Sequence, residues 1–185
     1  MMRRAKKEMR DEASVIDLLA RCHVGRLGTT GRDGYPMIKP LNFVFNERKI
    51  YFHTAKEGEK IDDIRRDCRV CFEVDLPLAF VKGDEADPCR AEYLYRSVII
   101  RGKARIVEDE KEKTMALRLL MRKYQPEGGY GDFREEKLRI TGVVRIDIDE
   151  MTGKQDLGKE GLREKALKIL EAGIPPPVTI QRDAE

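Results

Sequence analysis

The chain of 185 residues is long enough for one well-packed domain, and a second full domain is not expected at this length. Its 37 Lys and Arg residues nearly balance 34 Asp and Glu residues, and the net charge of +3 argues against a nucleic-acid-binding protein. The stretch after Met1 lacks the apolar core of a signal peptide, and no window approaches the roughly 18 apolar residues of a membrane span. We therefore expect a cytoplasmic protein with neither a nucleic-acid partner nor a membrane partner.

The predicted elements begin with an amphipathic helix over residues 11–22, with Ser14 as its cap. Three strands separated by turns at GRDG and NERK follow over residues 24–55. A short surface helix then leads into the strand RVCFEVD, and residues 76–90 are predicted to form a long loop. The remaining predicted elements are a strand, SVIIRGKARIVED, a second amphipathic helix, EKEKTMALRLLMRKYQP, a closing strand, VVRIDIDEMTG, and a tail helix, GLREKALKILEAG, followed by prolines 175–177.

About six strands with short helices at their edges predict a mainly β fold, an antiparallel barrel that is closed or nearly closed. Strands such as KIYFH carry apolar residues on both faces. Such faces are unfavourable in a monomer and are buried where two barrels pack together. We therefore expect a homodimer.

Four cysteines are expected to be free thiols, since structural disulfides are rare in a reducing compartment. Cys68 and Cys71 have the Cys-x-x-Cys spacing of redox and zinc motifs, but the sequence offers no second pair and no nearby His. We interpret both as buried strand cysteines and predict no metal site.

The segment His53–Lys60, which includes Thr54, Ala55, Lys56 and Gly58, leaves a strand and enters a helix. A phosphate suits such a junction, because free backbone N–H groups and the helix dipole favour negative charge and a glycine permits close approach. Thr54 adds a hydroxyl, and Lys56 and Lys60 add full charges. The alternative is an ordinary helix cap with solvated lysines.

Five segments resemble, in order and spacing, the Nim-type nitroimidazole-resistance branch of the FMN-binding split barrels, which are related to the pyridoxamine 5'-phosphate oxidases. They are PMIKPLNFVF, KIYFHTAKEGEK, RVCFEV, YRSVIIRGKA and VVRIDIDEMTGKQ. The resemblance runs over residues 11–155 and implies a six-stranded antiparallel split β-barrel of the flavin-reductase-like class with flanking helices. It divides the chain into an FMN-binding barrel over residues 1–155 and a helical, Pro-rich tail over residues 156–185, which we expect to be dispensable for flavin binding.

The resemblance also implies a set of cofactor-binding residues. It assigns the FMN phosphate to the segment His53–Lys60, and to Thr54, Lys56, Gly58 and Lys60 in particular. The isoalloxazine ring would lie along Lys39, Pro40, Leu41 and Asn42. Residues matching Arg96 and Ser97 lie on a central strand, where they are expected to serve the partner's flavin, because the family's sites lie at a dimer interface.

Two of these residues have further expected roles. Lys39 near the pyrimidine edge would stabilise an anionic reduced flavin, and the alternative is an ordinary exposed strand lysine. His53 is the candidate catalytic residue, because a histidine side chain is suited to deliver a proton to a reduced substrate near neutral pH. A packing role for the His53 ring is the alternative.

The sequence departs from the pyridoxamine phosphate oxidases at two points. Gly58-Glu59-Lys60 stands where they carry Ser-Arg-Lys, and nothing after Gln155 resembles their substrate-binding C-terminal segment. We therefore predict an FMN-dependent oxidoreductase that takes electrons from a reduced pyridine nucleotide or another donor and reduces a small, for example nitroaromatic, acceptor. The alternatives are a non-catalytic module for flavin, haem or deazaflavin, with His23 or His53 as haem ligand, and a cofactor-free interaction barrel.

Overall fold

The computed structural model describes residues 5–83, 87–173 and 178–180. The helices are α1 (Glu12–Arg21), α2 (Glu59–Arg66), α3 (Glu110–Tyr124), α4 (Glu135–Ile140) and α5 (Glu160–Ala172). The strands are β1 (Glu8–Met9), β2 (Gly25–Thr30), β3 (Pro36–Leu41), β4 (Val44–Asn46), β5 (Lys49–Ala55), β6 (Arg69–Val81), β7 (Glu92–Ile106), β8 (Thr141–Asp156) and β9 (Val178–Ile180).

The strands form one sheet in the order β3-β2-β6-β7-β8-β5-β4, with β1 added to β8 and β9 added in parallel to β6. This mainly β, antiparallel architecture with flanking helices confirms the predicted split-barrel class. The strand count differs from the prediction of six, because the described part of the chain contains nine strands. One expected strand is divided into β3 and β4, while β1 and β9 are short strands held by partners far away in the sequence.

The described residues fall into two compact units. The first takes those within Met1–Leu18, Asp75–Val98 and Thr152–Glu185, and the second takes those within Leu19–Val74 and Ile99–Met151. The long strands β6, β7 and β8 each run from one unit into the other.

The core of the first unit forms between α5 and the strands. Ala166, Ile169 and Leu170 of α5 are buried together with side chains of β6 and β7, namely Leu78, Ala79, Val81 and Leu94. The helix ends at Gly173, whose φ of 62° is the left-handed conformation that commonly terminates a helix. The predicted tail helix is thus confirmed and belongs to a hydrophobic core, while prolines 175–177 lie outside the described residues.

Two sequence-based expectations for this unit are wrong. Residues 76–90 are not one long loop, because β6 continues to Val81 and residues Pro88–Arg90 form a 3-10 helix. The strand is stabilised by pairing with β9 and by packing under α5, both remote in sequence. The cap of α1 is Asp11 instead of Ser14, since the Asp11 carboxylate accepts hydrogen bonds from the N–H groups of Ala13 (3.2 Å) and Ser14 (3.1 Å).

The second unit has its own core where α3 packs on β4, β5 and β8. Ala116, Leu117 and Leu120 of α3 are buried with Val44, Tyr51 and Val143. Asp109 caps the helix by accepting a hydrogen bond of 2.7 Å from the Glu112 N–H. The amphipathic pattern in the sequence therefore located this helix correctly.

The sequence predicted free cysteines and placed Cys68 and Cys71 in the interior, and the structure agrees with the first prediction only. All four cysteines are free, but Cys68 and Cys71 are exposed, so their assignment as buried residues is wrong. Side chains alternate between the two faces of a strand. Val70, Phe72 and Val74 occupy the buried face of β6, so Cys71 lies on the exposed face. No helix in the described part of the chain is both long enough and apolar enough to span a membrane.

Candidate functional site

An apolar cavity with a volume of about 380 Å³ lies in the second unit and is lined in part by predicted residues. Helix α3 presents four side chains to it at positions i, i+3, i+4 and i+7, which share one helix face. Its lining residues are Asn42, His53, Leu117, Leu120, Met121, Tyr124, Phe133, Lys137, Leu138 and Thr141. We call it the apolar cavity. It brings together Asn42 and His53, which the sequence placed at the flavin.

Asn42 is fixed at the end of β3 by hydrogen bonds around the His23 carbonyl. The Asn42 Nδ2 atom donates to this carbonyl over 3.1 Å, and the Tyr124 hydroxyl lies 2.7 Å from the same oxygen. The Tyr124 hydroxyl also accepts a hydrogen bond from the Phe43 N–H over 2.9 Å. The chain around Asn42 is therefore held in place before any ligand binds.

Lys123 reinforces the same junction. Its ammonium donates to the carbonyls of Leu19 (3.0 Å) and Cys22 (2.8 Å) and lies 3.8 Å from the centre of the Phe43 ring. Burial lowers the pKa of Lys123 to about 8. The end of α1 and the end of α3 are thereby joined at the connection between β3 and β4.

A second cavity, of about 280 Å³, shares the lining residue Thr141 with the apolar cavity. It is lined by Thr54, Ala55, Lys56, Ile61, Arg65, Ile106, Val107, Glu108, Glu110, Lys113, Thr141, Gly142 and Val143. We call it the basic cavity, because Lys56, Arg65 and Lys113 lie on it, although Glu108 and Glu110 oppose them. Lys113 is engaged with the Leu138 carbonyl and with Glu110.

The predicted junction at Gly58 is confirmed as the start of α2. Gly58 has a φ of +113°, a conformation that residues with a side chain rarely adopt. Its carbonyl accepts hydrogen bonds from the N–H groups of Ile61 and Asp62. Among the described residues no side chain caps the helix, which leaves the first N–H groups of α2 without a side-chain partner.

Lys39 and Lys60 lie outside both cavities. The Lys39 ammonium is 3.1 Å from the Glu59 carboxylate and 3.5 Å from that of Asp63, so Lys39 is ion-paired instead of solvated. Burial alone would raise the pKa of Asp63, but hydrogen bonds from Arg66 and Thr29 and the charge of Lys39 hold it below its usual value. The Lys60 ammonium lies 5.3 Å from the centre of the Phe52 ring, and burial lowers its pKa, with a smaller contribution from Lys39.

The remaining predicted residues are placed as follows. Pro40 is exposed on β3 and pairs with Arg26, and Leu41 is half-buried and pairs with Gly25. Arg96 and Ser97 lie on β7 in the first unit, where the buried Arg96 donates a hydrogen bond of 3.1 Å to Gln155. Neither pair lines the apolar cavity or the basic cavity.

Sequence reasoning missed several lining residues. Arg65 lies one helical turn after Ile61 on α2, and both line the basic cavity, so helical spacing could have indicated it. Tyr124 continues the apolar face of α3. Lys137 and Leu138 come from α4, a helix of six residues with no clear periodic signal.

A model of the family described as pyridoxamine 5'-phosphate oxidase matches residues 11–155. The chain belongs to this family. The resemblance inferred from the sequence segments is thereby confirmed, with the same limits along the chain. No curated protein matches the sequence.

Solved structures with the same fold include several named for flavin. A protein from Bacteroides thetaiotaomicron proposed to confer 5-nitroimidazole antibiotic resistance is 27% identical, with a TM-score of 0.71 over 80% of this chain and 86% of its own. An FAD-binding protein from Mycobacterium smegmatis is also 27% identical, with a TM-score of 0.53 over 79% of this chain and 97% of its own. The flavocytochrome Anf3 from Azotobacter vinelandii, at 19% identity and a TM-score of 0.75 over 89% of this chain and 78% of its own, shows the shared fold.

Proposed function

We propose that this member of the family is a cytoplasmic, FMN-dependent oxidoreductase that acts as a homodimer and reduces a small acceptor such as a nitroaromatic compound. The observation that carries the proposal is that an apolar cavity and a basic cavity share Thr141 as a lining residue. FMN has the same two parts, a flat ring system and a phosphate.

The apolar cavity suits the isoalloxazine ring. Most of its lining is aliphatic or aromatic, and such walls with a few placed polar groups are typical of cofactor sites. The Asn42 amide can donate and accept hydrogen bonds, which matches the mixed donors and acceptors of the pyrimidine edge. Because hydrogen bonds around the His23 carbonyl already hold Asn42, binding of the ring would cost little conformational entropy at this side chain.

The basic cavity suits the phosphate. Thr54 offers a hydroxyl, and Lys56 and Arg65 offer cationic donors on its wall. The N-terminus of α2 begins at Gly58, two residues after Lys56, without a side-chain cap among the described residues, so its N–H groups and dipole favour an anion nearby, although Gly58 itself does not line the cavity. Glu108 and Glu110 weaken this preference, and Lys113 offsets Glu110 in part through its ion pair of 3.4 Å.

His53 is proposed as the catalytic residue. It is exposed on β5 and lines the apolar cavity, so a small acceptor there would lie within its reach. Bound flavin would supply the electrons for reduction of the acceptor. His53 would hold and deliver the accompanying proton from a ring nitrogen, a role for which an imidazole side chain is chemically suited. Arg96 and Ser97 are proposed to complete the partner's site in the dimer.

The visible spectrum of the purified protein, followed by titration with FMN and riboflavin, tests the proposal. We expect a flavin spectrum, with FMN bound more tightly than riboflavin because only FMN carries the phosphate. A protein that binds neither compound would contradict the proposal.

A non-catalytic carrier is the second candidate, and the position of His53 on an apolar wall favours haem as its ligand. A haem spectrum that changes in a His53→Ala variant would support this alternative. A deazaflavin spectrum would instead show that the cofactor is a deazaflavin and not FMN, and the same two cavities would remain its proposed site.

A further inference from the structure

A third cavity, of about 280 Å³, is lined by Arg118, Arg122, Tyr130, Gly131, Asp132 and Phe133. We call it the arginine cavity. It lies entirely in the second unit and shares Phe133 with the apolar cavity. The proposed flavin and acceptor sites make no use of it.

The two arginines form a pair of like charges, which Asp132 on the same cavity offsets only in part. Arg118 and Arg122 are one turn apart on α3 and both exposed, and like charges at this spacing destabilise a helix slightly. Within the described ranges neither guanidinium has an ion pair or a hydrogen bond. Arg145, by contrast, contacts the Glu112 carboxylate at 2.9 Å. A bound anion would relieve the repulsion between Arg118 and Arg122, and guanidinium groups fit phosphate oxygens in pairs.

The remaining lining residues have chemistry suited to nucleotide recognition. Tyr130 is 39% exposed, so one ring is available for stacking on a base or ribose. The Asp132 carboxylate repels a phosphate but can accept hydrogen bonds from ribose hydroxyls. At Gly131 no atom lies within 4 Å of the position a Cβ would occupy, so the wall is open there.

Helix α3 connects this cavity with the apolar cavity. Leu117 and Met121 line the apolar cavity, while their neighbours Arg118 and Arg122 line the arginine cavity. With Phe133 on both, a ligand with its phosphates on the arginines can extend a ring toward His53.

We propose that Arg118, Arg122 and Tyr130 bind the phosphoryl groups and adjoining nucleoside of a pyridine dinucleotide, whose nicotinamide ring reaches the apolar cavity. The inference rests on the proposed function, since it supplies the electron donor for that site. The same chemistry could come from the phosphate of the flavin itself, and the experiment separates the two sources.

Isothermal titration calorimetry with NADP⁺, on the purified protein with and without added FMN, tests the inference. We expect Arg118→Gln and Arg122→Gln each to weaken NADP⁺ binding by about tenfold, and the double variant by more. N-benzylnicotinamide, which has the ring but no phosphate, should bind the variants and the parent protein alike. Arg163→Gln, an exposed arginine on α5, is the charge-matched control and should leave NADP⁺ binding unchanged.

Two outcomes would overturn the inference. One is NADP⁺ binding that is unchanged in the double variant. The other is weaker binding of FMN but not of riboflavin in the double variant, which would assign the arginines to the flavin phosphate. Failure of the proposed function is recognised separately, because a protein that binds no flavin can still bind NADP⁺ through Arg118 and Arg122 in the titration without FMN.

Discussion

Lys56 and Lys60 are four residues apart, yet they lie in different surroundings. Lys56 is exposed on the wall of the basic cavity, together with Arg65. Lys60 is half-buried near the Phe52 ring and close enough to Lys39 for their charges to repel. The sequence alone suggested equal roles for both lysines in binding phosphate, and it could not show which of the two faces the cavity.

The two lysines can be compared directly by alanine substitution. The sequence-based expectation is that Lys60→Ala weakens FMN binding by about ten- to a hundredfold. The cavity lining leads us to expect the larger loss in Lys56→Ala, with riboflavin affected far less in both variants because it has no phosphate. Fluorescence titration with both flavins measures this. An equal loss of FMN and riboflavin, or a larger loss in Lys60→Ala, would contradict this assignment.

Glu112 gives the second unit a pH-dependent link. Its carboxylate accepts hydrogen bonds from the Tyr51 hydroxyl (2.9 Å) and from Arg145 (2.9 Å). Burial alone would raise the pKa of Glu112, but the hydrogen bonds from Arg145 and Tyr51 outweigh it and lower the pKa below the usual 4.5. Burial of the Tyr51 hydroxyl and its hydrogen bond to Glu112 raise the pKa of Tyr51.

A carboxylate whose pKa is lowered by folding stabilises the folded state above its unfolded pKa, and this stabilisation is lost as the pH falls through the folded pKa. Glu112→Gln should therefore lower the free energy of unfolding by about 1.5–3 kcal/mol near neutrality. The difference from the parent protein should shrink as the pH falls below 4.5. Urea unfolding at several pH values measures it, with the exposed Glu136→Gln as control. A difference that stays constant with pH would count against this link.

At the scale of elements, local periodicity predicted the helices well. Helices α1, α3 and α5 have apolar positions at helical spacing, and each lies where the sequence placed it. The second half of β6 was missed because Pro77, Gly83 and several acidic residues suggest a loop. Its stability as a strand comes from β9 and α5, about 90 residues further along the chain, and no local pattern contains that information.

The candidate site likewise contains residues that the sequence could identify and contacts that it could not. His53, Asn42 and Thr54–Lys56 were identified by resemblance, and they do line the two cavities. Arg65 and Tyr124 could have been added from helical spacing. The ion pairs of Lys39 with Glu59 and Asp63 could not have been predicted, because they depend on how α2 packs on β2 and β3.

Helix α5 should contribute strongly to the stability of the first unit. Leu170 is buried against residues of β6 and β7, so Leu170→Ala should lower the free energy of unfolding by about 2–5 kcal/mol. Lys168 on the same helix is 70% exposed, and Lys168→Ala should change the free energy of unfolding by no more than about 0.5 kcal/mol. Urea unfolding of both variants provides the comparison. If Leu170→Ala had as little effect as Lys168→Ala, α5 would not be part of the core.

At the scale of the whole molecule, the homodimer was predicted from the apolar faces of β5, but Ile50, Tyr51 and Phe52 are all buried within the chain. A dimer interface therefore has to use apolar side chains that are exposed elsewhere. Tyr35 and Ile38, which are 71% and 68% exposed, lie beside and on β3, the strand at one end of the sheet order. Exposed apolar groups of this size on a strand are a feature of surfaces that pair with another chain.

Sedimentation velocity should show a dimer for the parent protein. Ile38→Lys should shift the population toward monomer, because it places a charge on a strand face that we expect to be buried. Ile140→Lys, at a similarly exposed position on α4, serves as the control and should leave the dimer intact. A parent protein that is monomeric and binds FMN with full affinity would rule out a site shared between two chains.

The path of the chain through the two units has a consequence for inheritance and engineering. The chain changes unit after Leu18, Val74, Val98 and Met151, and β6, β7 and β8 are the strands that carry the last three changes. Neither unit therefore corresponds to one uninterrupted stretch of the gene. A single crossover between related genes would join unmatched pieces of both units, so we expect functional chimaeras of this protein to require several coordinated exchange points.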